Sequence, residues 1–350
     1  MKTKDLVVKV QTLNGAWETL GVDRAVGVWP EGTSLVADEW GSKTASFTLK
    51  RYVPYMWPDL RAFAPVDIEV GGKLVWSGFI MGTPSRSGEG LSVQCVGWQA
   101  HLDEDLYEQF YVHTNMSEWQ DAKSWPAFDP ASLGSGGKVV VGGGSIYIGW
   151  DKTDTMVNNK RSGVFLDLGE NRKAARCVVN YNWTNGTGNG NQFLNIHIGD
   201  DPVSPGLTLA ASATNPVGTN QALAGNATGR FVLISWYQGA GGDLTNIAGD
   251  SFLEITGITV FSSTTYDSGT GVSQLKAHNI VTDALSKATS RLSSDTSLID
   301  TTASWFSIPE FAPDGPRTAR QAWENADAYE NRYKKIDVYR RPVYKAMPTA

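Results

Sequence analysis

Trp150, Trp183, Trp236 and Tyr237 stand in a stretch whose other side chains are largely Asn, Gln, Gly and Thr. Between Pro202 and Gly242 the only charged residue is Arg230. Aromatic faces beneath the apolar C–H patches of a sugar, with amides and hydroxyls meeting its hydroxyls, are the chemistry of a glycan site. The same rings also fill the cores of β-sandwiches, and alternation through Ser235-Trp-Tyr-Gln sends Trp236 and Tyr237 to opposite faces. On these residues alone both readings stay open.

Other chemistry is weaker. A sandwich hydrolase would draw its carboxylate pair from Asp151, Asp167 or Glu254, and nothing in the sequence sets two of them face to face. His101-Leu-Asp-Glu-Asp105 follows a strand directly, where consecutive acids are solvated, whereas an acid–base pair needs unlike environments. Asp200-Asp201-Pro and Asp151-Lys-Thr-Asp154 offer hard oxygens without the spacing of a dedicated calcium loop. His101, His113, His197 and His278 share no ligand spacing on one element and read as surface or satisfied groups. His197 alternates with Ile196 and Ile198 and is expected to face away from them. Neither a Gly-x-Ser-x-Gly elbow nor a phosphate-binding Gly-Lys-Ser/Thr loop occurs. The expectation is a non-enzyme with no metal and no cofactor.

The elements that must position these residues follow from composition and periodicity. The chain has 350 residues, 41% apolar and 19% charged, enough to build more than one core. Its net charge of −6 comes without a basic stripe, which argues against binding a polyphosphate. No apolar run approaches the ~20 residues that span a bilayer, and Met1–Val8 lacks an apolar signal core. Two separate cysteines, Cys95 and Cys177, fit a chain made in a reducing compartment.

Short strands are expected at Val7–Val10, Thr44–Leu49, Val66–Val70, Leu74–Ile80 and Leu91–Val96, with Gly71-Gly72 as a two-residue hairpin turn. A helical turn is expected just after Trp57. A second group follows a change of composition near Met116: Lys138–Val141, Ser145–Ile148, Gly163–Leu168, Ala174–Tyr181, Phe193–Ile198, Phe231–Tyr237 and Phe252–Phe261. Such spacing predicts an antiparallel sandwich or jelly roll. Ser262–Gly271 reads as a linker. Beyond it, Leu275, Ala277, Ile280, Val281, Ala284, Leu285 and Ala288 fall at helical spacing. Thr318-Ala-Arg-Gln321 fits a capping box opening a helix that carries Ala322, Trp323, Ala326 and Tyr329. Strands at Lys335–Tyr339 and Pro342–Ala346 flank Arg340-Arg341.

Three segments share a pattern of wider interest: Ala45-Ser-Phe-Thr-Leu-Lys, Pro65-Val-Asp-Ile-Glu-Val-Gly-Gly-Lys-Leu-Val-Trp-Ser-Gly-Phe-Ile and Leu91-Ser-Val-Gln-Cys-Val-Gly-Trp-Gln-Ala-His-Leu. Together they resemble minor tail proteins of long-tailed bacteriophages, in particular the N-terminal region of the tail-tip or baseplate hub, also called the tail-associated protein. The two C-terminal helices and the Ile336–Ala346 hairpin resemble later hub segments. The middle is similar in architecture to a jelly-roll, carbohydrate-binding-module-like domain inserted into a hub loop.

The resemblance implies a mostly β, multi-domain fold with a few helices, in which a tail-tube-like hub β-barrel is split by the sandwich. Its parts would be a hub-like domain at 1–112, a linker at 113–124, the sandwich at 125–265, a linker at 266–271 and an open-ended hub part at 272–350. It further implies a structural virion component at the tail tip, made in the host cytoplasm and assembled as a homotrimeric ring. Such a ring would contact the distal tail protein and other tail-tip proteins, let phage DNA pass without specific binding, and offer the sandwich to host-surface glycans. Rival expectations are a sixfold distal tail protein and a free-standing glycan-binding protein.

Overall fold

The computed structural model describes residues 6–20, 28–51, 57, 60–87, 90–122, 137–142, 144–150, 161–184, 192–200, 208–214, 220–238, 251–288, 291–302 and 306–347. The chain divides into two units. One comprises Met1–Tyr107, Lys276–Phe306 and Pro316–Ala350; the other comprises Glu108–Leu275 with Ser307–Gly315. Strands dominate both, and no helix among the described residues is long and apolar enough to cross a membrane.

The first unit opens with β1 (Leu6–Gln11), β2 (Trp17–Leu20), β3 (Val28–Asp38), β4 (Gly41–Arg51), β5 (Pro65–Val70), β6 (Lys73–Ile80), β7 (Ser85–Ser87), β8 (Gly90–Gly97) and β9 (Leu106–Tyr107). A ten-stranded sheet runs in the order β2-β1-β5-β6-β8-β4, then Tyr333–Ile336 and Pro342–Lys345, with β3 on β4 and β7 on β8. Gly71 and Gly72 take φ of 57° and 74°, the paired positive angles of a type I′ turn, and so set the β5–β6 hairpin. Period-two alternation sends Val8, Val10, Phe47, Leu49, Val66, Ile68, Trp76, Ile80, Val93 and Cys95 into one core. Residues from six strands of a single sheet meet there, so the sheet wraps around its own apolar face.

Helix α1 (Ala277–Ala288) buries Ala277, Ile280, Val281, Ala284 and Leu285. Helix α2 (Ala319–Asp327) starts at a complete capping box: the Gln321 amide donates to the Thr318 hydroxyl, and the Gln321 side chain accepts from the Thr318 N–H. Buried Trp323 meets Trp40 edge to face at 5.2 Å between centroids.

The second unit contains β10 (Val112–His113), β11 (Gln120–Asp121), β12 (Gly137–Gly142), β13 (Ser145–Trp150), β14 (Arg161–Ala174), β15 (Arg176–Thr184), β16 (Gln192–Gly199), β17 (Thr208–Thr214), β18 (Asn220–Leu223), β19 (Ala227–Gln238) and β20 (Ser251–Phe261). It is an antiparallel sandwich. One sheet runs β12-β13-β20-β15-β18 with β10 added to β20; the other runs β11-β14-β19-β16-β17. Ile146, Ile148, Val179, Leu253 and Ile255 from the first sheet meet Val164, Leu166, Ile196, Val232 and Ile234 from the second. The ladder between β15 and β20 skips a residue after Asn180, and this bulge resets the alternation so that Ile258 and Val260 point inward like Leu253 and Ile255.

Several expectations need correction. The strand expected at Lys335–Tyr339 runs over Tyr333–Ile336 and gives way to a turn in which Arg340 N–H donates to the Asp337 carbonyl. The segment 113–124 is no linker, since β11 pairs with β14 and Trp119 is buried in the sandwich core. Helix α2 ends at Asp327, leaving Tyr329 outside it and 40% exposed. Ser262–Gly271 is no free linker: the Asp267 carboxylate is buried against Arg176 Nε at 2.8 Å, and Thr259 Oγ1 donates to the Gly271 carbonyl. The C-terminal part does not belong wholly to the first unit, because Ser307–Gly315 packs with the sandwich, where Phe311 bridges to Val112. The helical turn expected at Pro58–Ala62 falls partly outside the described residues, at 58 and 59; Leu60–Ala62 are not helical, and Phe63 takes a positive φ of 64°.

Candidate functional site

Trp236 continues the inward row Val232–Ile234 on β19 and is only 3% exposed. Half-buried Trp183 packs against the same core, its ring 4.8 Å from that of Trp236 at 88°. The ring faces of Trp236 are spent on packing, which corrects the expectation that it stacks on a sugar. Trp150 and Tyr237 fall in β13 and β19, and their side chains lie outside the described residues.

A different set of residues faces solvent. Ladder registers place Val140 of β12 opposite Tyr147 of β13, Tyr147 opposite Glu254 of β20, and Glu254 opposite Asn182 of β15. The four side chains form a row across the outside of the six-stranded sheet, since Ile146, Ile148, Leu253 and Ile255 take the inward positions. The Tyr147 hydroxyl donates to Glu254 Oε1 at 2.6 Å, and the Asn182 amide donates to Oε2 at 3.3 Å. These bonds, with a further one from Ser145, hold the Glu254 carboxyl below its ordinary range, while the bond to Glu254 pushes the Tyr147 hydroxyl up. Val140 remains 46% and Tyr147 37% exposed. An apolar edge, an aromatic ring, an ionised acceptor and an amide thus share one open face. Sequence reasoning reached Glu254 only as a hydrolase acid. Ile146-Tyr147-Ile148 carries the missed signal, an aromatic facing away from two core isoleucines.

The two described carboxylates considered for hydrolysis, Asp167 and Glu254, do not converge. Asp167 lies between inward Leu166 and Leu168 on β14 and takes a two-point contact from Arg230 at 2.7 and 2.8 Å, which holds its carboxyl low. Asp167 and Glu254 therefore sit on outward faces of different sheets, and cannot flank one glycosidic bond. Asp151, Asp154 and Asp201 lie outside the described residues, and Asp200 is exposed. In the first unit Asp103 binds Arg320 Nε at 2.9 Å, and Glu104 meets His101 Nδ1 at 2.7 Å. Burial holds His101 below the usual imidazole value. His197 turns away from core residues Ile196 and Ile198, as alternation predicts. Both cysteines are buried and unpaired by disulfide; burial pushes Cys95 up to about 12 and Cys177 upward as well.

No protein-family model matches the chain, and no curated protein does. Solved structures to which it is similar include the CBM32 of AlyQ in complex with 4,5-unsaturated mannuronic acid, at 16% identity and a TM-score of 0.25, covering 44% of this chain and 99% of that one. A family 32 CBM from C. perfringens NanJ in complex with galactose matches at 18% identity and 0.23, covering 43% and 93%. The K2 cleaved adhesin domain of Lys-gingipain matches at 13% and 0.28, covering 43% and 98%.

Proposed function

We propose that the sandwich unit binds glycans through the row Val140–Tyr147–Glu254–Asn182. The observation that carries this reading is the in-register meeting of an exposed aromatic ring with an ionised, hydrogen-bonded carboxylate on a solvent-facing sheet. A sugar ring laid on Tyr147 and Val140 would bury its apolar face and direct hydroxyls to Glu254 and to the Asn182 side-chain oxygen. The test is a glycan array with the full chain, followed by calorimetry on the hits. Tyr147→Ala and Glu254→Gln should each weaken the best hit by tenfold or more, while Lys173→Ala, on a strand of the other sheet, should not. Equal binding by all three variants sinks the assignment.

The finer reading is a tail-tip component that carries this module. Residues 45–50, 65–80 and 91–102, which hold the tail-protein resemblance, include neighbouring strands β4, β5, β6 and β8 of one sheet, and this supports it. So do strand edges available to neighbours: among the described residues β3 pairs with β4 alone and leaves Leu35 and Val36 about two-fifths exposed, 38% and 45%. Ring closure through such edges would give the proposed homotrimer. Light scattering with size-exclusion chromatography and negative-stain images decide it. A threefold ring supports the hub, a sixfold ring favours the distal tail protein, and a monomer leaves the free-standing glycan-binding protein.

A further inference from the structure

Two groups five residues apart and a third from about 190 residues further along the chain converge at the beginning of the sandwich. His113 is the last residue of β10, and Glu118 closes the short 3-10 turn Met116–Glu118. Glu310 arrives on Ser307–Gly315, where Ile308 N–H donates to the Leu275 carbonyl at 2.8 Å, Tyr111 N–H to the Phe311 carbonyl at 3.0 Å, and Phe311 N–H to the Val112 carbonyl at 2.8 Å. One nitrogen of His113 and one carboxylate oxygen from each glutamate all lie within 4.8 Å of one another.

The electrostatics of this cluster are incomplete. His113 is 3% exposed, and its Nε2 meets Glu118 Oε2 at 2.6 Å. Its buried Nδ1 has no partner among the described residues. Asn115 steadies the turn, donating from Nδ2 to Glu118 Oε1 at 2.8 Å and accepting from Ser117 N–H at 3.1 Å. Neither carboxylate pairs with a lysine or arginine among the described residues. Two carboxylates thus face one imidazole that can supply at most a single positive charge.

We infer that His113, Glu118 and Glu310 bind a divalent transition metal of the zinc class, fastening the 307–315 segment to the start of the sandwich. An imidazole with two carboxylates matches zinc in donor type, and three protein ligands leave a fourth position for water. Calcium and magnesium take more ligands, all of them oxygen. A metal on Nε2, the nitrogen that faces Glu118, would leave the ring proton on Nδ1, and its double charge would neutralise both carboxylates. The metal would be a structural clamp, independent of the glycan row on the outside of the sheet.

The experiment uses the full chain, stripped with chelator and titrated with Zn²⁺ by calorimetry, with Co²⁺ as a spectroscopic probe and Ca²⁺ for comparison. One Zn²⁺ per chain should bind, visible Co²⁺ bands should report nitrogen–oxygen coordination, and saturating Zn²⁺ should raise the unfolding midpoint. Glu310→Gln and Glu118→Gln should each lower Zn²⁺ affinity at least ~10-fold, comparable with the loss of a supporting group at known metal sites. Because Glu310→Gln relieves like-charge repulsion, its metal-free unfolding midpoint should equal or exceed that of the parent chain. Absence of saturable Zn²⁺ binding, unchanged affinity in both variants, or tighter binding of Ca²⁺ than of Zn²⁺ would overturn the site.

Discussion

Tyr147 and Glu254 are cross-strand partners on the solvent-facing side of the sandwich, and the phenol donates to the carboxylate at 2.6 Å. The bond keeps Glu254 ionised to lower pH than an isolated surface glutamate, so the row presents a carboxylate acceptor over a wider pH range. A depressed carboxyl contributes stability above its unfolded value, and that contribution is lost as pH falls through the folded value.

The first prediction follows from this sign. In Tyr147→Phe the Glu254 side chain should titrate at higher pH than in the parent chain, read by NMR of its carboxyl carbon. Glycan binding should fade as pH drops through the Glu254 midpoint, and should fade at higher pH in the variant. Binding that persists well below that midpoint would show that the carboxylate is not the acceptor.

Trp236→Ala should act on folding rather than on a ligand. Its ring is 3% exposed and stacked edge-on against Trp183 in the sandwich core. Removing a buried tryptophan costs about 3–5 kcal/mol, so the denaturant midpoint of the sandwich unit should fall sharply, and by more than in Trp183→Ala. A Trp236→Ala chain of parental stability that no longer binds glycans would return Trp236 to the ligand site.

Period-two alternation made most of the strands readable from sequence, because β-branched inward residues such as Val8, Val66 and Ile255 mark one face wherever that face is buried. The Gly71-Gly72 turn and the Thr318 capping box were readable for the same local reason. What escaped depends on partners distant in sequence. No strand is expected around Trp29-Pro30-Glu31-Gly32, whose Pro and Gly disfavour one, yet it pairs along β4 with a register shift between Glu31 and Ser34. The Ala- and Asn-containing β17 and β18 have little intrinsic strand preference and form through their ladders with β16 and β15. The glycan row needs the registers of four strands at once, so Glu254 was visible as an acid while its tyrosine and asparagine were not.

Thr318→Ala should remove both halves of the α2 capping box, since Gln321 loses the acceptor for its backbone N–H and the N-cap geometry that its side chain answers. The expected loss is about 1 kcal/mol, or a few degrees in the thermal midpoint of the first unit. Thr318→Ser should recover most of it. If alanine and serine behave alike, the box contributes nothing beyond helix propensity.

Two glycines separate steric from conformational cost. A Cβ on Gly97, at the end of β8, would stand 1.6 Å from the Ser42 carbonyl oxygen and 2.5 Å from its carbon. That neighbour is backbone, so no rotamer change can relieve the clash, and strands must part between β8 and β4. Gly15 has φ of +83° but open space around its missing Cβ, so an alanine there meets only the left-handed penalty of about 1–2 kcal/mol. Gly97→Ala should therefore exceed Gly15→Ala, reaching or passing the roughly 3 kcal/mol upper range of overpacked sites. Chemical unfolding of the two variants beside the parent chain measures the order. The reverse order would mean that β4 and β8 approach less closely near Ser42 than this, and that the sheet at Gly97 tolerates a side chain.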